Sequence, residues 1–221
     1  MKEFEIDVTG NCLVLLSGGI GAATLLACLK KQNVEQVNAL FFYYGDYVSN
    51  EKQCAEKLAN YYGINLRVMD ISNIYGNNMI VRYPVSFKQV NDFYVPYRNG
   101  VFVSVATAVA YYLRCSNVVW GTSSSSFNYY SDCQPNFVKT QKSSVHFGTD
   151  GNVRLITPFS RLSKLDICRI GKRLGAPLEL TWSCANSNGD QCGKCFGCIE
   201  RGINFETLRA ENLRVTKVCT Q

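Results

Sequence analysis

Histidine is almost missing from this chain: His146 is the single one in 221 residues. Alone, it anchors no Ser-His or Cys-His mechanism, and its place just before Gly148 reads as a surface loop. Long hydrophobic runs are missing too. Stretches such as Cys12–Leu16 and Val101–Leu113 are short or broken by polar residues, which excludes a helical membrane span. Charged residues spread through Met1–Gly10, and the apolar pentad after them is too short for a secretion signal, so the chain is expected in the cytoplasm. No basic run marks a nucleic-acid groove. The net charge of +6 is compatible with an anionic ligand such as a nucleotide, and no direct nucleic-acid binding is expected. Neither an internal repeat nor a low-complexity linker is present.

What is there is a globular composition, 47% hydrophobic and 18% charged, in a length that suits one sizeable domain with a small appendage. Eleven cysteines stand out. An odd count without an export signal argues against a disulfide framework. Seven of them (Cys12, Cys28, Cys54, Cys115, Cys133, Cys168 and Cys219) are scattered, mostly in apolar surroundings, and read as reduced, buried, small hydrophobes.

The periodicity is that of an α/β protein. Cys12–Leu16 is a continuous apolar strand, Ala22–Lys31 has helical spacing, and Val37–Tyr43 is a second buried strand. Ser49 or Asn50 then caps a helix striped by Cys54, Ala55, Leu58, Ala59 and Tyr62, with Gly63 as its stop; Ile64–Asp70 is strand-like again. This β-α-β-α-β order predicts a Rossmann-like parallel sheet with helices on both faces. Ser72–Val95 reads as an irregular surface excursion, Asn99–Arg114 as a buried helix, and Asn117–Gly121 as the next strand. The polar Thr122–Ser126 follows where open sheets place ligand loops. Ser163 and Asp166 form a capping pair for a helix over Lys164–Leu174, which Gly175 and Pro177 end. The character changes near the end, with a cysteine cluster and a polar helix from about Ile199 to Val215. We therefore expect a main α/β unit over residues 1–180 and a zinc-binding C-terminal segment over 181–221 packed on it.

Two local patterns carry chemistry. Cys184, Cys192, Cys195 and Cys198 are spaced C-x7-C-x2-C-x2-C, and a C-x-x-C turn brings two thiolates to one side. Four thiolates satisfy tetrahedral zinc and leave no open position, which points to a structural Zn2+. Ferredoxins share C-x2-C-x2-C but continue with x3-C-P; here that position is Gly202 and no Cys-Pro follows. Gly193 and Gly197, between the ligands, allow positive φ and N–H groups turned toward sulfur. The second pattern is Ser17-Gly18-Gly19 between a strand and a helix, where glycines let backbone approach a phosphate at a helix start. It lacks the Lys-Ser/Thr of the common nucleotide loop and the spacing of a dinucleotide site.

Loop and cluster together resemble the 7-cyano-7-deazaguanine synthase family of PP-loop, adenine nucleotide alpha hydrolase-like enzymes. The similarity runs from Ser17 to Arg201. It includes Tyr44-Gly45 with Glu51, Val95-Pro96 with Arg98-Asn99, Asp132-Cys133 before Phe137, Thr157-Pro158, Ser163-Lys164, and above all Leu180-Thr181-Trp182-Ser183-Cys184 with Cys192-Gly193-Lys194-Cys195. Such enzymes of queuosine biosynthesis use ATP to activate oxygen. They turn 7-carboxy-7-deazaguanine and ammonia into the nitrile through an amide. The resemblance implies ATP, with Mg2+, at Leu16, Ser17, Gly18, Gly19, Ile20, Gly21 and Thr24. It also implies catalytic Arg98 and Lys164, substrate contacts at Asn99 and Asp132, zinc at the four cysteines, and a homodimer, since family members often form dimers.

The sequence departs from the family at the ligand site. The loop S-G-G-x-D-S reads Ser17-Gly18-Gly19-Ile20-Gly21-Ala22, losing an acid and a hydroxyl. Asp46-Tyr47-Val48 replaces Gln-Arg-His, Ser123 and Ser125 stand for Asn and Glu, and Tyr97 stands for a glycine. The expectation is a 7-cyano-7-deazaguanine synthase-like enzyme making the amide, the nitrile or both. The alternatives are a non-catalytic nucleotide- or partner-binding protein on the same fold, or another PP-loop reaction such as tRNA thiolation. The last usually needs a cysteine pair, and Cys133 has no evident partner.

Overall fold

A strand buried on both faces reads as an unbroken apolar run, as the central Cys12–Leu15 does, whereas the edge strand Leu66–Asp70 carries Arg67 and Asp70 and is largely exposed. In the computed structural model, which describes residues 4–75, 95–126, 130–185 and 189–218, five strands pair in the order β3-β2-β1-β4-β5, all parallel. They are β1 (Cys12–Leu15), β2 (Val37–Tyr43), β3 (Leu66–Asp70), β4 (Asn117–Val119) and β5 (Arg154–Ile156). The helices are α1 (Ile20–Lys31), α2 (Ser49–Tyr62), α3 (Ser72–Tyr75), α4 (Arg98–Tyr112), α5 (Pro135–Gly148), α6 (Lys164–Arg173) and α7 (Phe196–Val218). α1 packs on α6, and α4 on α5. Because the chain reverses direction across the sheet after β3, the right-handed rule for parallel crossovers assigns α1 and α2 to one face and α4 and α5 to the other. No described helix is long and apolar enough to cross a membrane.

The core explains why α1 is apolar all round: Ile20 through Leu29 are all buried. Leu13, Leu40, Leu58 and Ile167 are each at most 1% exposed, and burying such a side chain is worth about 1.5–3 kcal/mol. The scattered cysteines Cys12, Cys28, Cys54, Cys115, Cys133 and Cys168 are buried and unpaired in disulfides, as expected; Cys219 lies outside the described residues.

Several boundaries move, each for a local reason. α1 begins two residues before the expected Ala22, capped by Gly19 without a side-chain bond. α2 is not capped by Ser49 or Asn50. A 3-10 turn over Asp46–Val48 runs straight into the helix, so Ser49 is already helical, and Asn50 donates to the Gly189 carbonyl instead (3.4 Å). β3 starts at Leu66 because Ile64 N–H still bonds the Ala59 carbonyl, closing the helix end over Gly63 at φ +64°. The excursion expected over Ser72–Val95 opens with one helical turn, nucleated by Asp70 accepting from Ser72 N–H (2.9 Å); residues 76–94 lie outside the described ones. β4 ends at Val119, and His146 lies exposed in the last turn of α5 rather than in a loop. The Ser163–Asp166 cap of α6 is present, Asp166 N–H donating to Ser163 Oγ (3.2 Å) and Ser163 Oγ to Asp166 Oδ2 (2.6 Å).

Candidate active site and metal centre

β1 lies between β2 and β4, so the chain order switches direction at its carboxyl end, where open parallel sheets hold ligands. A cavity of about 390 Å³ occupies this place. Its wall includes Leu16, Ser17 and Gly19 from the loop joining β1 to α1, and Ile20 and Gly21 from the first turn of α1. The first-turn N–H groups of α1 have no side-chain cap, which suits an anion.

Two of the residues expected on the nucleotide, Gly18 and Thr24, are not among the residues that line the cavity. Gly18 sits at φ +74°, its carbonyl accepts from Trp182 N–H (2.9 Å), and a Cβ there would lie 2.3 Å from the Glu51 carbonyl oxygen. Only glycine permits that approach. Thr24 is fully buried and donates to the Ile167 carbonyl (3.3 Å), joining α1 to α6. Position 21, where the resemblance leads one to expect an acid, is built for no side chain: a Cβ on Gly21 would stand 2.9 Å from the Gly121 carbonyl. No acidic residue occupies the first turn of α1, so that turn offers a divalent cation no carboxylate.

Arg98 opens α4 at the cavity wall. Its Nη1 donates to Tyr44 Oη (3.0 Å), and its guanidinium lies 5.7 Å from the Tyr44 ring centre and 5.9 Å from that of Phe102. Burial drives the Tyr44 hydroxyl well above its ordinary value, so it stays a neutral acceptor. Glu51, in the first turn of α2, also lines the cavity. Burial raises its carboxyl to about 7, the Arg98 charge opposing part of the shift. A carboxylate at position 51 lies on the same helical face as Ala55 and Leu58, and this acid on an apolar stripe was the available sign that it serves a site.

Asn99 lines the cavity, whereas Asp132 is 4% exposed and stands behind it. Asp132 Oδ2 accepts from Asn99 N–H (2.9 Å), securing the start of α4 and thereby Arg98. Tyr97 precedes them at φ +55°, in the left-handed region that glycine adopts freely. Lys164, first residue of α6, reaches the same cavity, its N–H bonded to Ser125 Oγ (3.0 Å). Arg201 was not anticipated as a site residue. It lines the cavity from α7 and donates to Thr181 Oγ1 (2.6 Å) and the Leu178 carbonyl (3.1 Å), tying the C-terminal helix to the segment before the cysteines.

The four cysteines converge: their sulfurs all lie within 4.8 Å of one another. Cys192–Cys198 and Cys184–Cys195 are 4.0 and 3.9 Å apart, near the ~3.8 Å edge of a tetrahedron with Zn–S of ~2.3 Å. The donor set thus fits a metal of that size. Backbone N–H groups point at sulfur, Cys192 N to Cys184 Sγ (3.3 Å) and Cys195 N to Cys192 Sγ (3.4 Å). N–H groups of Lys194 and Cys195 lower the Cys192 thiol, while burial raises that of Cys198. Gly193 has φ +70°, as expected. Gly197 has another role: a Cβ there would lie 2.0 Å from the Ser183 carbonyl, so glycine lets α7 touch the strand of chain carrying Cys184. α7 starts inside the cluster at Phe196, earlier than the spacing predicts.

Fold and cavity define a class: parallel α/β proteins with a ligand site where the strand order reverses. The architecture matches NMN synthetase from Francisella tularensis (TM-score 0.53, 18% identity, 83% of this chain and 70% of that one). It also matches U34-tRNA thiolase NcsA from Methanococcus maripaludis with its [4Fe-4S] cluster (TM-score 0.51, 16% identity, 80% and 59%); at such identities the likeness concerns the fold alone. The sequence goes further. The family described as Queuosine biosynthesis protein QueC matches residues 11–209, and the chain belongs to that family. It is 32% identical to the 7-cyano-7-deazaguanine synthase of Thermoplasma acidophilum, over 91% of this chain and 90% of the relative. It is 34% identical to that of Methanospirillum hungatei, over 90% and 96%.

Proposed function

We propose that this protein uses ATP to convert 7-carboxy-7-deazaguanine and ammonia to the 7-amide, to 7-cyano-7-deazaguanine, or to both in turn. The observation that carries this reading is the meeting of the Ser17–Gly19 loop, Arg98 and Lys164 around one cavity in a member of this family. In the first step a carboxylate oxygen attacks the α-phosphorus of ATP, pyrophosphate leaves, and ammonia then displaces AMP to give the amide. In the second, the amide oxygen is adenylated in the same way, and loss of AMP and two protons leaves the nitrile. Loop N–H groups and Ser17 hold phosphate oxygens, while Lys164 and Arg98 balance charge that builds on phosphate or carboxylate. Asn99 contacts substrate, and Asp132 holds Asn99. Position 21 offers no carboxylate, so any Mg2+ would be held through the triphosphate oxygens. Zn2+ at the four cysteines is structural and fastens the start of α7, which carries Arg201, against the loop. The cytoplasm supplies ATP and ammonia to such an enzyme.

The test is AMP formation. With ATP and ammonia present, AMP appears only on adding 7-carboxy-7-deazaguanine; AMP release indifferent to that acid removes the proposal.

A further inference from the structure

Glu51 and Arg98 are opposite charges on one cavity wall, yet they do not pair with each other. Arg98 gives Nη1 to Tyr44 Oη, and no ion pair of 4.0 Å or less joins it to Glu51 among the described residues. The Glu51 carboxylate accepts no hydrogen bond from any described residue, although both side chains line the cavity. Each nevertheless feels the other's charge. Two neighbouring groups, one a fixed donor and one an unoccupied double acceptor, leave room for a third party that bonds both.

Their positions are rigidly set. Gly18 packs against the Glu51 backbone, fixing α2 beside the phosphate loop, and Asp132 fixes the start of α4. Tyr44 orients the guanidinium, and Phe102, stacked on Phe42 at 4.4 Å, supplies a flat apolar wall next to it. The arrangement suits a planar heterocycle whose edge shows an acceptor next to a donor.

We propose that Glu51 and Arg98 together read the lactam edge of a guanine-type base, the carboxylate accepting from N1–H and the 2-amino group while the guanidinium donates to O6. A carboxylate has two oxygens for two adjacent N–H groups, and a guanidinium has only donors. An adenine-type edge reverses both matches, presenting an amino donor to Arg98 and a bare ring nitrogen to Glu51. A hypoxanthine-type edge keeps O6 and N1–H but leaves one carboxylate oxygen without its partner. Glu51 thus sets specificity for the 2-amino group. The assignment rests on the 7-deazaguanine reading above and names which end of that substrate the chain recognises.

The experiment measures binding by calorimetry for wild type and Glu51→Gln, with 7-carboxy-7-deazaguanine and its analogue lacking the 2-amino group. Glutamine keeps the shape but replaces one acceptor by a donor. Wild type binds the amino compound about tenfold to a hundredfold more tightly, as a lost charge-assisted bond predicts. In Glu51→Gln that preference falls below about threefold, with thermal unfolding confirming that the variant is folded. A purely structural Glu51 would weaken both ligands alike and keep the ratio. An unchanged ratio in the variant therefore overturns the assignment while leaving the functional reading in place. A wild type that binds neither compound overturns both.

Discussion

Replacing Glu51 by glutamine has a consequence for stability that is separate from ligand binding. The folded chain holds the Glu51 proton more tightly than the unfolded chain does, because burial raises the carboxyl from its ordinary 4.5 to about 7. The stabilising contribution is fully present below the unfolded value and is lost as pH rises through about 7. At 1.36 kcal/mol per pH unit that rise corresponds to about 3 kcal/mol, an upper bound because the side chain retains contact with water in the cavity. Glutamine does not titrate. Denaturant unfolding of wild type and Glu51→Gln, without ligand, at pH 5 and pH 8, isolates the term. Between those two conditions the balance moves toward the variant by about 1–3 kcal/mol. An equal difference at both pH values refutes the reasoning, since burial would then cost the carboxylate nothing. A charged group kept where it weakens the empty protein is what a binding site demands.

Other outcomes follow from packing. Gly18→Ala meets the Glu51 carbonyl and a left-handed φ together, and should cost about 2 kcal/mol or more in thermal unfolding, with loss of ATP affinity. The pair Gly21→Asp with Ala22→Ser restores the family's side chains but drives a Cβ onto the Gly121 carbonyl; differential scanning calorimetry should show a lower melting temperature than wild type. An unchanged or higher one would mean the loop yields freely. Metal analysis of purified protein should find about one zinc and no iron per chain, and Cys195→Ser should lose the zinc and expose the α7 start to proteolysis. Leu58→Ala, at a fully buried contact of α2, should cost about 2–5 kcal/mol in denaturant unfolding.

The sheet was legible because its signals are local and redundant. Cys12–Leu16 is apolar without interruption, Val37–Tyr43 is broken only by Asn38, Gly63 ends α2, and Ser163 with Asp166 announces α6, so each element states its own kind. α5 and β5 escaped notice. α5 buries only Val138, Gln141 and Val145, a thin stripe among Lys, Ser and Thr, and β5 has three residues whose pairing with β4 is a long-range event. The cysteine cluster was readable from spacing alone, because chelation needs little beyond four sulfurs in reach. The cavity was readable only in part. Ser17–Gly19, Arg98 and Lys164 come together as the motifs suggest, but Thr24 turns inward and Asp132 works through Asn99, which spacing does not reveal. Nor does spacing reveal that Gly21 faces another glycine across a van der Waals gap.

The most direct measurement incubates the zinc-loaded protein with ATP, isotopically heavy ammonia and 7-carboxy-7-deazaguanine, and identifies products by mass. The account predicts AMP together with a 7-amide, a 7-nitrile or both, carrying the heavy nitrogen. Recovery of the unchanged acid with no AMP, from folded protein, would contradict it.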